Sequence, residues 1–388
     1  MYIGVPKEIM HDEDRVAATP ETVKKYVAAG HTVFVEHNAG KGILANDEAY
    51  AAAGATVLQT AQEVYDRSEL ILKVKEPLFN EDTQKHEIDM MHEGQYLITF
   101  IHPASPINHE MVRKMAAKGI ISMAIEGVPR ISRAQSMDAL SSMSTVAGYK
   151  GTLMAAADLN RFIPAIPTAA TVIRPCKGLV IGVGVAGLRA LTTMKGLGAV
   201  TYACDIRPMA CETALSVGAK GVVETGVDPA LAIGQGGYAK SLPKEVLEAE
   251  RAKIAEILPQ MDIVFLSALV PGELAPVLIT EEMVKTMKPG AVIVDIAIDQ
   301  GGNCEITEPG VQCVKYGVTI EGIKNIPGRL AVSSSAMYAS NMYELVKYLT
   351  KDGKLNLDES DDIVAGMMTT KGGKVVHKGA LAAMELVK

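Results

Sequence analysis

Short apolar runs rich in β-branched residues recur along the chain, and the stretches between them carry apolar positions at helical spacing. The runs at Tyr2–Val5, 31–36, 70–75, 96–102 and 121–126 predict strands of a parallel sheet covered on both faces. Between the first two, Thr19-Pro20-Glu21 sets a hydroxyl cap before a proline in the first helical turn, and Gly30 closes that helix. A second helix is expected over 110–118, stopped by Gly119. From about 140 to 162 the pattern becomes one long helix of Ala, Met and Ser, with Pro164 and Pro167 after it. This reads as a bridge into a second domain, where the alternation resumes at 179–182, 200–205, 263–268, 291–297 and Val318–Glu321. Beyond Pro327 another helix is expected over 335–349, followed by a charged, turn-rich tail. The expectation is α/β with two doubly wound domains. The second, 145–326, is inserted into a first built from 1–144 and completed by C-terminal helices within 327–388.

Size and charge narrow the chemistry. At 388 residues and 48% hydrophobic, the chain exceeds one compact core and can bury two. A net charge of −7 leaves no cation excess for phosphodiesters or anionic lipid, so nucleic acid is excluded as a direct ligand. No run approaches the ~18 apolar residues of a bilayer span, and the opening residues lack a secretory pattern, so direct membrane insertion is not expected. The expected location is cytoplasmic. The five cysteines, Cys176, Cys204, Cys211, Cys304 and Cys313, form no C-x-x-C pair and read as reduced thiols. The scattered histidines give no ligand spacing, so no metal is assigned. Ser141-Ser142-Met143-Ser144 lacks the glycines of a nucleophile elbow, which disfavours a serine hydrolase.

The apolar strand Leu179-Val180-Ile181 runs directly into Gly182-Val183-Gly184-Val185-Ala186-Gly187, and a helical pattern follows to Gly196. In G-x-G-x-x-G, the first glycine allows a tight turn, the second lets a pyrophosphate approach the backbone, and the third lets helix and strand pack closely. The next strand ends in Asp205, 18 residues past Gly187, where a carboxylate can accept from adenosine ribose hydroxyls and repel a 2′-phosphate. Arg207 nearby weakens that preference without cancelling it. This is a Rossmann dinucleotide fingerprint, and it points to NAD(H) over NADP(H). Ile206 and the strand end at Ala268-Leu269 join the expected cofactor site.

Further segments carry a family resemblance over essentially the whole chain. Ile3-Gly4-Val5-Pro6-Lys7-Glu8 with Asp14-Arg15-Val16-Ala17 resembles the family uniting alanine dehydrogenases with the NAD(H)-binding alpha subunit of proton-translocating nicotinamide nucleotide transhydrogenase. Residues 129–138, Ala147-Gly148-Tyr149, residues 236–240, Gly301-Gly302-Asn303-Cys304 and residues 325–329 resemble the transhydrogenase branch alone. The resemblance implies a flavodoxin-like first domain and a dimer or larger assembly. It implies that Arg130, Gln135 and Asp138 hold the nicotinamide end, and that Gly237 and Tyr238 lie on a loop closing over adenosine. It further implies partners on separate chains, one binding NADP(H) and one in the membrane, so that this chain could sit peripherally at the membrane's inner face.

The alanine dehydrogenase branch implies a different use of the same fold. By that resemblance Arg15 and Lys75 hold the oxygens of pyruvate or alanine, His102 moves a proton, and Asp299 faces the amine. The transhydrogenase branch commonly lacks the lysine, histidine and aspartate, so both readings stay open here. A third, an NAD-sensing module without catalysis, has no positive support in the residues.

Overall fold

The structure, a computed structural model, describes residues 1–234, 239–270 and 274–386. Two compact units result, Met1–Met143 with Pro327–Lys388, and Ser144–Ile326.

In the first unit, β1 (Tyr2–Val5), β2 (Thr32–Glu36), β3 (Thr56–Leu58), β4 (Leu70–Leu72), β5 (Tyr96–Thr99) and β6 (Ile121–Ala124) lie parallel in the order 3-2-1-4-5-6. A C-terminal hairpin, Met368–Lys371 with Lys374–Val375, adds antiparallel to β6. The flavodoxin order is 2-1-3-4-5; here β3 lies outside β2, so the first unit is doubly wound with a Rossmann-like order. Helix α1 (Pro20–Ala28) starts as its sequence dictates: Thr19 accepts from the Thr22 amide, and the Thr22 hydroxyl accepts from the Thr19 amide.

The strands expected over 70–75, 96–102 and 121–126 stop at Leu72, Thr99 and Ala124. The remainder of each apolar run leaves the sheet as loop at the carboxyl end, where open α/β sheets keep their ligands. Lys75 and His102 therefore stand on loops and Glu126 in the 3-10 turn Ile125–Gly127, none of them in a strand.

Helix α2 (Ala139–Asp158) contains the boundary between the units. In the second unit the strands are β7 (Lys177–Ile181), β8 (Val200–Cys204), β9 (Gly221–Val222), β10 (Ile263–Leu266), β11 (Val292–Asp295), β12 (Gln312–Lys315) and β13 (Val318–Glu321). Their order is 9-8-7-10-11-13-12, and among these strands β12 alone is antiparallel. Alternate side chains fill two cores. Leu179, Ile181, Val264 and Leu266 enter one, and Val180, Ile263, Phe265, Val292 and Val294 the other. Burial of each such side chain contributes roughly 1.5–3 kcal/mol. Strand order reverses between β7 and β10, and helix α3 (Val185–Gly196) follows β7 at that switch point.

Candidate dinucleotide site

At the end of β7 the chain turns on Gly182, whose φ of +83° a side chain would strain. Its amide donates to the Cys204 carbonyl at 2.9 Å, and a Cβ there would lie 2.5 Å from the Ala268 nitrogen. Gly187 is barred from change differently: a Cβ would fall 2.0 Å from the Gly182 carbonyl oxygen, so the first turn of α3 rests on the turn itself. Gly184 caps α3 without a side chain, and a Cβ at that position would meet nothing within 4 Å. The open face of Gly184 thus adjoins the helix's first amides, Val185, Ala186 and Gly187, at the positive end of the helix dipole. This arrangement fits a diphosphate.

The opposite wall is built by residues that the motif does not contain. The Ser267 hydroxyl donates to the Gly182 carbonyl at 2.7 Å. Asn303, fully buried, accepts from the Ala268 amide at 2.9 Å and donates to the Ala268 and Pro276 carbonyls at 2.8 Å each. Asp295, also fully buried, accepts from the amides of Asn303 and Cys304 and from the Thr307 hydroxyl. Burial pushes the Asp295 carboxyl up, and these donors oppose that. Leu269 follows, half exposed. Sequence places Asn303 in a segment of the family resemblance but gives it no role, because its partners lie 27 and 35 positions away.

Beyond β8, Asp205 is nine-tenths buried. Its Oδ2 accepts from the Val183 amide at 2.7 Å and from Arg207 Nη2 at 2.8 Å; Oδ1 accepts from the Arg207 amide and Nε, both at 2.9 Å. The hydrogen bond to Asp205 holds the Arg207 guanidinium above its ordinary range. Glu250, on the helix Lys244–Ile257, is pushed up to about 7 by burial and then by the charge of Asp205. Ile206 separates the pair in sequence. Gly237 and Tyr238 lie outside the described residues.

In the first unit, the 129–138 segment forms a short 3-10 helix, Ser132–Met137, that leaves Arg130 and Gln135 exposed. Asp138 is 3.8 Å from Arg130 Nε and accepts from the Ser141 amide and hydroxyl, which fixes the start of α2. Asn341 donates to the Ser136 carbonyl at 2.8 Å from the helix Ala331–Leu349. These contacts bring Arg130, Gln135 and Asp138 onto one braced loop.

The four positions implied by the amino-acid reading are in unequal states. Arg15 is 3% exposed, and its fork is closed on Glu13, with Nε to Oε1 at 2.7 Å and Nη2 to Oε2 at 2.5 Å; Nη1 lies 3.0 Å from Met143 sulfur. The Lys75 ammonium has no hydrogen-bond or ion-pair partner among the described residues, while its carbonyl accepts from Thr99. His102 has φ +49° immediately before Pro103, donates its backbone amide to Glu126, and stacks on Phe100 with ring centroids 5.8 Å apart. Its Nδ1 is 3.7 Å from Glu126. Asp299 is exposed in the 3-10 turn Ile298–Gln300.

These features coincide with a match to the descriptions "Alanine dehydrogenase/PNT, N-terminal domain" over residues 4–147 and "Alanine dehydrogenase/PNT, C-terminal domain" over 151–378. The chain belongs to the alanine dehydrogenase/PNT family. A member from Rhodospirillum rubrum, the first part of an NAD(P) transhydrogenase subunit alpha, is 41% identical over 379 residues, covering 97% of this chain and 98% of that one. An alanine dehydrogenase of the family from Methanococcus maripaludis is 32% identical over 399 residues, covering 100% and 97%. The solved transhydrogenase from Sinorhizobium meliloti superposes with a TM-score of 0.84 at 38% identity, covering 97% of this chain and 100% of that structure. Like the transhydrogenase, this family member has a mixed α/β fold with two domains. Among its described residues no helix is long and apolar enough to cross a membrane, and no cluster of His, Cys, Asp and Glu is built to hold a metal.

Proposed function

We propose that this chain is the NAD(H)-binding subunit of an NAD(P) transhydrogenase, an oxidoreductase that passes hydride directly between NADH and NADP⁺ held by a partner chain. The bound dinucleotide supplies the reacting carbon, from which hydride leaves with both electrons, so NADH becomes NAD⁺ as NADP⁺ becomes NADPH. The protein's part is positional. Gly182, Gly184, Val185, Ala186 and Gly187 offer backbone to the diphosphate, Ala268 and Leu269 form the facing wall, and Asp205, Ile206 and Arg207 stand at the adenosine end. Gly237 and Tyr238 are assigned to closure over adenosine. Arg130, Gln135 and Asp138 hold the carboxamide end, where an amide side chain can fix ring rotation and the two nicotinamides need ~3–3.5 Å separation. Proton translocation falls to separate membrane chains, to which this chain would attach peripherally from the cytoplasmic side, as a dimer or larger assembly.

The observation that carries the choice is at Arg15. In the amino-acid reading this guanidinium receives the substrate carboxylate, and here its Nε–Nη2 edge is already closed bidentately on buried Glu13. Replacing Glu13 with a substrate carboxylate would leave an anion buried and unpaired. The second reading, an alanine dehydrogenase activity through Arg15, Lys75, His102 and Asp299, draws support from the left-handed backbone of His102, since such strain is kept where a site uses it.

The assay that separates them is NADH oxidation by the purified chain. The expected result is silence with pyruvate plus ammonia, and hydride exchange once an NADP(H)-binding partner subunit is added. Rapid turnover with pyruvate and ammonia, abolished by His102→Ala, would overturn the first reading in favour of the second.

A further inference from the structure

Asp205 stands where an adenosine ribose is to be read, yet its acceptor capacity is already spent. An ionised carboxylate offers about four lone-pair directions. Val183 N–H and Arg207 Nη2 take two on Oδ2, and the Arg207 amide and Nε take two on Oδ1. While the Arg207 side chain stays in place, ribose hydroxyls have no lone pair on Asp205 to approach. The Arg207 side chain is 23% exposed, against 4% for Asp205, so the arginine is the partner with solvent to move into.

The charges around the pair decide which ribose its opening favours. Glu250 is 4% exposed, and the charge of Asp205 adds to burial in raising its cost of ionisation, so two acids and one guanidinium interact at this end of the sheet. A 2′-hydroxyl can take the Asp205 acceptors that Arg207 vacates. A 2′-phosphate cannot donate to Asp205, and it brings further negative charge; of these three groups only the guanidinium can receive it.

We propose that Arg207 is a specificity-determining residue: it competes with the ribose hydroxyls for Asp205, and among the three charged groups here it alone can receive a 2′-phosphate. The inference rests on the reading that the crevice holds a dinucleotide. NAD(H) selectivity then belongs to the Asp205–Arg207 pair. Loss of the arginine and loss of the aspartate shift that selectivity in opposite directions.

The test is the affinity of the full chain for NADH and for NADPH, measured by calorimetry on wild type, Arg207→Ala, Arg207→Gln and Asp205→Asn, with circular dichroism to confirm folding. Both Arg207 variants are expected to weaken NADPH by at least about tenfold, the scale of a lost charge-assisted bond, while NADH affinity rises as the ribose hydroxyls gain the Asp205 acceptors. Asp205→Asn is expected to weaken NADH and strengthen NADPH, narrowing their ratio by about tenfold or more. Equal losses for both nucleotides in folded Arg207 variants, or an unchanged ratio with NADH still bound by wild type, would overturn this inference alone. Failure of wild type to bind either nucleotide would overturn it together with the dinucleotide reading.

Discussion

Gly184 and Gly187 belong to one motif and divide its work: the first leaves open space, and the second lets backbone meet backbone. At Gly187 a methyl group would collide with a carbonyl oxygen 2.0 Å away, and backbone cannot step aside cheaply. Gly187→Ala should therefore lower stability by about 1–3 kcal/mol in denaturant unfolding. A variant as stable as wild type would contradict the close packing of α3 on its turn. The same method tests Arg15. Glu13→Ala leaves a 3%-exposed guanidinium without its carboxylate and should cost about 3–5 kcal/mol. A loss below about 1 kcal/mol would mean that the fork is readily freed, and would return Arg15 to the substrate-binding reading.

At the scale of elements, the features legible in the sequence are those that local chemistry decides. Thr19-Pro20 marks the start of α1 because a cap and its amide are neighbours. The strand, three glycines and helix at 177–196 are legible for the same reason. Strands β3 and β12 and the hairpin at Met368–Val375 are not, because their strands are two to four residues long and lie at or next to sheet edges, so no apolar run announces them. The strand ends at Leu72, Thr99 and Ala124 are hidden because the loops that follow carry apolar, buried residues of their own. The wall opposite the glycines is invisible for a further reason. Asn303 joins Ala268 and Pro276 through tertiary contacts that no spacing encodes. Asn303→Ala should unfold about 1–3 kcal/mol more easily, since it removes a fully buried amide and with it the partner of the Ala268 N–H and of two part-buried carbonyls. A loss under about 1 kcal/mol would show that water or a neighbour replaces the amide.

Across the whole molecule, buried carboxyls shape the dependence on pH. Lys73 is fully buried between Glu8 and Glu87, at 3.1 and 2.8 Å, with Tyr65 donating to Glu87 and the Val74 amide to Glu8. Burial alone would lower the Lys73 ammonium, but the two carboxylates hold it above its ordinary range, while burial raises Glu8. Glu250 rises to about 7 from an ordinary 4.5 in the other unit. A carboxyl raised on folding binds its proton more tightly in the folded state, so its stabilising share is complete below about 4.5 and is lost as pH climbs through about 7. Glu250→Gln should therefore gain on wild type, by on the order of 2–3 kcal/mol, between about pH 5 and pH 8. Parallel stability profiles for the two proteins across that range would contradict the assignment.

The proposed function requires that a dinucleotide's diphosphate lie against the open face of Gly184. The most direct measurement is NADH titration of wild type and Gly184→Leu, each paired with a thermal melt. Because a Cβ at Gly184 meets nothing within 4 Å, the variant should still fold, losing only about 1 kcal/mol for the poorer helix cap, while its NADH affinity falls by about a hundredfold or more as the side chain fills the phosphate's place. Saturable NADH binding of equal strength in both proteins, or no NADH binding by wild type, would contradict the account.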